Sequence, residues 1–140
     1  MIRLFLDTNV ILDILRKRKP FVESSAGIWD LIERTKVAGF VSAISFNNIH
    51  YILRRSISAE SAYAAMDIMR DTLNIVPLDG PILNKAIDTA FKDFEDGIQF
   101  FSAIQCGADY LISRNVKDFS CEDIPVLEPE AFLALDLDFN

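Results

Sequence analysis

Three short segments carry most of the side chains able to do chemistry. Asp7 directly follows the apolar run Ile2 to Leu6, a place where α/β proteins repeatedly hold Mg2+ or phosphoryl groups. Asp93-Phe94-Glu95-Asp96-Gly97 opens a helical stretch, and Arg114-Asn115-Val116-Lys117-Asp118-Phe119 is a polar turn after another short apolar run. Each aspartate alone could be a helix cap, and a carboxylate near a helix start gains about 0.3 to 1 kcal/mol from the dipole. Capping explains one acid of the second segment and not three, because neighbouring carboxylates repel unless a cation or solvent offsets them. With 2 Cys and 1 His in the chain, soft ligands cannot build a closed zinc site. Any metal is therefore a hard, oxygen-bound cation.

Charge and length limit what these segments can serve. The chain has 140 residues, 14 basic and 21 acidic side chains, and a net charge of -7, the wrong sign for coating nucleic acid without specificity. Residues 1–78 hold 10 basic and 8 acidic groups, whereas residues 79–140 hold 4 and 13, so the carboxylates concentrate in the second half. An apolar content of 51% suits one packed domain over residues 1–140 and excludes disorder. Cys106 and Cys121 read as free thiols of a reducing cytosol, Cys106 as a small core residue. No secretory signal and no membrane-spanning apolar run is visible, so a cytoplasmic location is expected.

Short apolar strands alternate with helical stripes along the whole chain. Strands are expected at Ile2 to Leu6, Phe40-Val41, Asn74 to Leu78, Tyr110 to Ser113 and Pro125 to Leu127. The helices between them are expected at Val10 to Arg16; after Pro20, with Ala26, Trp29, Ile32 and Val37 inward and Gly39 as terminator; after a cap at Ser42 or Ser45; and from Ser58. Three more follow Asp79, run from Gly97 to Cys106, and begin at Pro129. The tail Leu135 to Asn140 is expected to fray. This alternation predicts an α/β fold with a mainly parallel sheet, whose sites lie beyond the carboxyl ends of the strands. Asp7, Ser42, Asp79 and Asn115 stand there. A dehalogenase-like phosphatase would have a second Asp where Asn9 stands, and no phosphate loop of the G-x-x-x-x-G-K type is present.

Taken together, Leu6-Asp7-Thr8-Asn9-Val10, Asp93-Phe94-Glu95-Asp96-Gly97 and Ser113-Arg114-Asn115-Val116-Lys117-Asp118-Phe119 resemble the signature blocks of the PIN domain, in order and spacing, over nearly the whole chain. The resemblance implies a three-layer α/β/α fold on a five-stranded sheet, and a nuclease that hydrolyses RNA phosphodiester bonds with Mg2+ or Mn2+. It also implies the role of a VapC-type toxin with a small antitoxin as partner, and a homodimer, for which the stripe of Met66 and Met69 looks exposed. Asp7, Asp96 and Asp118 are the implied catalytic residues, joined by Asn115 as metal ligands, with Asn48, Asp93, Thr8, Asn9 and Ser42 in second rank. The family usually has Glu where this sequence has Asn48, which removes one negative charge and favours a single ion. A PIN-fold binding protein with weakened or lost catalysis is the alternative. RNA is expected to meet Arg16, Lys17, Arg18, Lys19, Arg54, Arg55 and Arg114. His50 and Trp29 are read as structural.

Overall fold

The computed structural model describes residues 1–119 and 123–139; Cys121 and the end of the tail, Asn140, lie outside them. Five strands form one sheet in the order β3-β2-β1-β4-β5 with every pairing parallel: β1 (Arg3–Leu6), β2 (Ala38–Ser42), β3 (Asn74–Val76), β4 (Tyr110–Ile112) and β5 (Val126–Leu127). Parallel strands need crossovers, and helices supply them: α1 (Thr8–Leu15), α2 (Val22–Glu33), α3 (Ala43–Ser56), α4 (Ala59–Thr72), α5 (Gly80–Thr89) and α6 (Phe94–Gln105), with α7 (Pro129–Leu133) last.

β1 is the central strand, and its run of Leu4, Phe5 and Leu6 is fully buried because both faces of the sheet are covered. Side chains alternate across a strand, so Leu4 and Leu6 join one core with Val10, Ile11, Ile28, Ile49, Leu53 and Met69 from α1 to α4. Phe5 points the other way, into a second core with Ile82, Ala86, Ile98, Phe100 and Ala103 from α5 and α6. The expected three layers are therefore present.

Local caps fall where short polar side chains meet apolar runs. Asp7, Ser42, Ser58, Asp79 and Asp93 each accept a hydrogen bond from a backbone N–H at the start of the following helix. α6 consequently begins at Phe94, a turn earlier than expected, because Asp93 is its cap. Gly107, with φ of 67°, ends it as expected.

Four expectations need correction. Gly39 does not terminate α2; the helix ends at Glu33, Thr35 takes the left-handed turn (φ 56°), and Gly39 lies inside β2. The inward face of α2 is Ser25, Ile28 and Ile32, with Ala26 exposed and Trp29 half-buried, since a 25-28-32 spacing brings all three onto one stripe. Met69 is fully buried and Met66 is half-buried against the same core, so the two do not form the exposed stripe expected. The tail is docked rather than frayed: Leu137 and Phe139 pack on the first core, and the Phe139 ring lies 6.4 Å from that of Phe132. Among the described residues no helix is long and apolar enough to cross a membrane.

Gly39 is needed for space rather than for its backbone freedom. A methyl there would stand 2.6 Å from Ile32 Cδ1 and 2.8 Å from Leu73 Cδ2. Gly39→Ala should therefore cost about 1 to 3 kcal/mol in urea unfolding. An unchanged midpoint would mean that both side chains move aside freely.

Candidate active site

The strand order reverses between β1 and β4, since the chain winds from β1 towards β3 on one side and from β4 to β5 on the other. Such a switch point opens a crevice at the carboxyl edge of the sheet. Asp7 ends β1 there and donates its backbone N–H to Ile112 O of β4 at 2.9 Å. Its carboxylate is 5% exposed and firmly held: Oδ1 accepts from Thr8 N (2.7 Å), and Oδ2 accepts from Ser113 Oγ (2.8 Å) and more loosely from Asn9 Nδ2 (3.4 Å). Ser113 Oγ also accepts from Asn115 N at 3.1 Å, which ties the turn after β4 to the end of β1.

The first turn of α6 brings the other acids. Asp7, Thr8, Asn9, Leu12, Asp93, Glu95, Asp96 and Asn115 surround a cleft of about 180 Å³. A neighbouring cleft of about 470 Å³ is lined by Lys92, Asp93, Asp96, Lys117 and Asp118, so Asp93 and Asp96 form the shared wall. Burial is the main reason that the Asp7 pKa rises to about 6; the bonds from Ser113 and Thr8 oppose it, and the charges of Glu95 and Asp93 add to it. Asp96 rises to about 7, again first through burial, then through repulsion from Asp93, Asp7, Asp118 and Glu95. No lysine or arginine forms an ion pair with Asp7, Asp93, Glu95, Asp96 or Asp118 among the described residues.

The PIN domain family profile matches residues 3–117 of this chain. The chain belongs to the PIN domain family. Ribonuclease VapC1 of Aquifex aeolicus (strain VF5) is 30% identical over 135 residues, 93% of this chain and 92% of that protein. Among solved structures, the DNA-bound VapBC of Salmonella typhimurium superposes with a TM-score of 0.71 at 19% identity, covering 92% of this chain and 99% of that one. VapBC2 of Rickettsia felis, bound to a promoter DNA fragment, gives 0.70 at 17% identity, covering 89% and 97%.

In this PIN domain, Asp7, Asp96 and Asn115 share one cleft with Thr8, Asn9 and Asp93, while Asp118, in the short turn Val116–Asp118, lies in the neighbouring cleft on the far side of Asp96. Ser42 is buried and spends its hydroxyl on capping α3 through Ile44 N (3.3 Å). His50 faces Tyr63, with ring centroids 4.7 Å apart, away from the acids. Arg114, expected to meet RNA, is engaged within the chain. Its guanidinium pairs with Asp13, Nε to Oδ2 at 2.6 Å, and covers the ring of Phe21 at 4.3 Å. None of Arg16, Lys17, Arg18, Lys19, Arg54 or Arg55 lines either cleft. α1 and α3 both start at the carboxyl edge and run away from it; Arg54 stands six residues beyond Asn48, about 9 Å further along the helix.

Sequence reasoning passed over Lys92, which directly precedes the acidic segment, Lys117, and above all Glu95, which sits inside that segment. It also missed the buried polar group behind the cleft. Gln99, fully buried, donates to Thr8 Oγ1 and Ser45 Oγ, both at 3.2 Å, and those two hydroxyls lie 2.7 Å apart. Polar residues on an otherwise apolar helix were its only signal.

The donors around the cleft are all oxygen, as a hard cation requires. Among the described residues no three His, Cys, Asp or Glu side chains converge closely enough to grip one ion directly. That spread fits Mg2+ or Mn2+ held by one or two carboxylates and otherwise by water. The uncompensated charge fits it too.

Two predictions follow from these contacts. Asp13 is 1% exposed and Arg114 is its partner, so Arg114→Ala leaves a buried charge alone and should cost about 3 to 5 kcal/mol in chemical unfolding; a loss well under 1 kcal/mol would assign the pair to the surface class. Asp7 and Asp96 have folded pKa values above the ordinary 3.8, so their protonation favours the folded chain. That contribution is complete below about pH 4 and is lost as pH rises through about 6 and 7. Metal-free protein in chelator should therefore lose melting temperature between about pH 5 and pH 8, and Asp96→Asn should flatten the slope. Identical slopes in both proteins would refute the repulsion account.

Proposed function

We propose that this PIN domain is a Mg2+- or Mn2+-dependent ribonuclease of the cytoplasm and the toxin half of a toxin–antitoxin pair. The observation that carries the reading is the pairing of Asp7 and Asp96 across a cleft at the switch point, both raised in pKa, with no ion pair to either among the described residues. Its near relative is named a ribonuclease, and similar folds come from VapBC complexes. Residues 1–140 act as one domain in this reading.

Each residue then has a part. Asp7, locked by Thr8 and Ser113, and Asp96, from the first turn of α6, hold the cation, and Asn115 adds a neutral oxygen. When bound, the cation offsets the negative charge that builds on the scissile phosphate as water displaces the leaving oxygen. Thr8 and Asn9 keep the Asp7 side in place through their own bonds to it and to Glu95. Asp118 supports Asp96 from the second cleft, where the exposed Lys92 and Lys117 can meet a phosphate next to the scissile one. An apolar groove of about 490 Å³ between α1, α2 and α4, lined by Ile11, Ile14, Leu15, Trp29 and Ile68, is open to an antitoxin segment.

Purified protein should cleave single-stranded or structured RNA with Mg2+ or Mn2+ and not in chelator. Asp96→Asn should reduce the rate by roughly a hundredfold. Cleavage without metal, or full activity in the variant, would overturn the proposal.

A further inference from the structure

By the resemblance to PIN domains read from the sequence, position 48 is a place for glutamate, and this chain has asparagine. The structure shows what stands opposite. Asn48 Nδ2, on α3, donates to Glu95 Oε1, on α6, at 2.8 Å. The end of the side chain at position 48 and the Glu95 carboxylate thus meet at one point of the cleft. A glutamate at 48 with the same direction would press its carboxylate against that of Glu95, and the two negative charges would compete for one place. Asparagine turns that clash into a charge-assisted hydrogen bond.

We propose that Glu95 supplies the carboxylate absent from position 48, acting from α6 on the hydrated cation beside Asp7 and Asp96 rather than as a third direct ligand, and that Asn48 is the residue that positions it. Three features of the geometry support this. Glu95 lines the same cleft as Asp7, Asp96 and Asn115. Its bonds to Asn48, to Thr8 Oγ1 (3.3 Å) and to Gln99 Nε2 (3.5 Å) all fall on Oε1 and none on Oε2. Those three donors come from α3, α1 and α6, so the carboxylate is oriented by three elements rather than left to solvent. A surface glutamate has no need of such support. Its charge also reaches the first aspartate, since Glu95 contributes to the raised pKa of both Asp7 and Asp96.

The assignment rests on the metal-dependent reading above, and it bears on the competing view that Asn48 marks a chain without catalysis. A lost carboxylate leaves a deficit; a relocated one does not. The swap also predicts reciprocity: moving the charge back to position 48 is tolerated only when it is removed from position 95.

Mn2+ binding to the metal-free full chain, followed by calorimetry and by the loss of the free-ion spin-resonance signal, tests this without any activity assay. Glu95→Gln should weaken Mn2+ binding by about tenfold or more. Asn48→Glu alone should lower the melting temperature of the metal-free protein, and the double variant Asn48→Glu/Glu95→Gln should recover both that temperature and most of the affinity. Wild-type affinity in Glu95→Gln, or a double variant no better than Glu95→Gln alone, would overturn the role of Glu95. If binding is lost in Asp96→Asn and kept in Glu95→Gln, the metal site stands and only this assignment fails. A wild-type chain that binds no Mn2+ removes the metal site and the assignment together.

Discussion

Carboxylates that face one another where water is partly excluded cost free energy, and this fold gathers them at one edge. Asp7 is nearly buried at the end of the central strand and Asp96 looks into the same cleft from α6; burial pushes both towards neutrality, aided by Glu95 and Asp93 at Asp7 and by Asp93, Asp7, Asp118 and Glu95 at Asp96. No basic side chain forms an ion pair with them among the described residues. A chain under selection for stability alone would replace one of them with an amide. The rest of the architecture can be understood as what holds these carboxylates in place.

Three devices do the holding. Ser113 joins the ends of β1 and β4 through Asp7, so the switch point is closed by a side-chain bond as well as by the sheet. Behind the acids, Thr8, Ser45 and Gln99 form a buried polar group that fixes α1, α3 and α6 relative to one another. The amide nitrogen of Gln99 is spent in this group, while its buried Oε1 has no hydrogen-bond partner among the described residues. Below the turn after β4, the Asp13–Arg114 pair clamps α1 to the loop that carries Asn115. Each device links elements distant in sequence, which is why the cleft can keep its shape despite the charge within it.

Much of this was legible in the order of residues. Five apolar runs separated by helical stripes dictated the parallel sheet, and Asp7 and Asp96 stood out because acids rarely cluster without cause. Local competition set the errors. Gly39 looked like a helix stop, yet a close approach by Ile32 and Leu73 placed it inside a strand. Met66 and Met69 looked like a surface, because a stripe of modest hydropathy does not say whether it faces a partner or its own core. Glu95 was in view throughout and lacked a role, since its meaning lies in a contact with Asn48 across 47 residues of chain. Spacing along one segment cannot report a pairing between two.

The distribution of basic residues makes the same point about charge. The clusters most visible in the sequence, Arg16 to Lys19 and Arg54-Arg55, end helices that run away from the carboxyl edge, where cations favour the helix dipole in any case. Arg55 donates to Tyr51 Oη at 2.9 Å on its own helix, and Arg114 is bound to a buried aspartate. What remains beside the acids is Lys92 and Lys117, two isolated and exposed lysines that sequence gives no reason to notice. A chain of net charge -7 does not attract RNA from a distance. Any contact with a polyanion at this edge must therefore be short-ranged, made where the ammonium groups of Lys92 and Lys117 share a cleft with Asp93, Asp96 and Asp118.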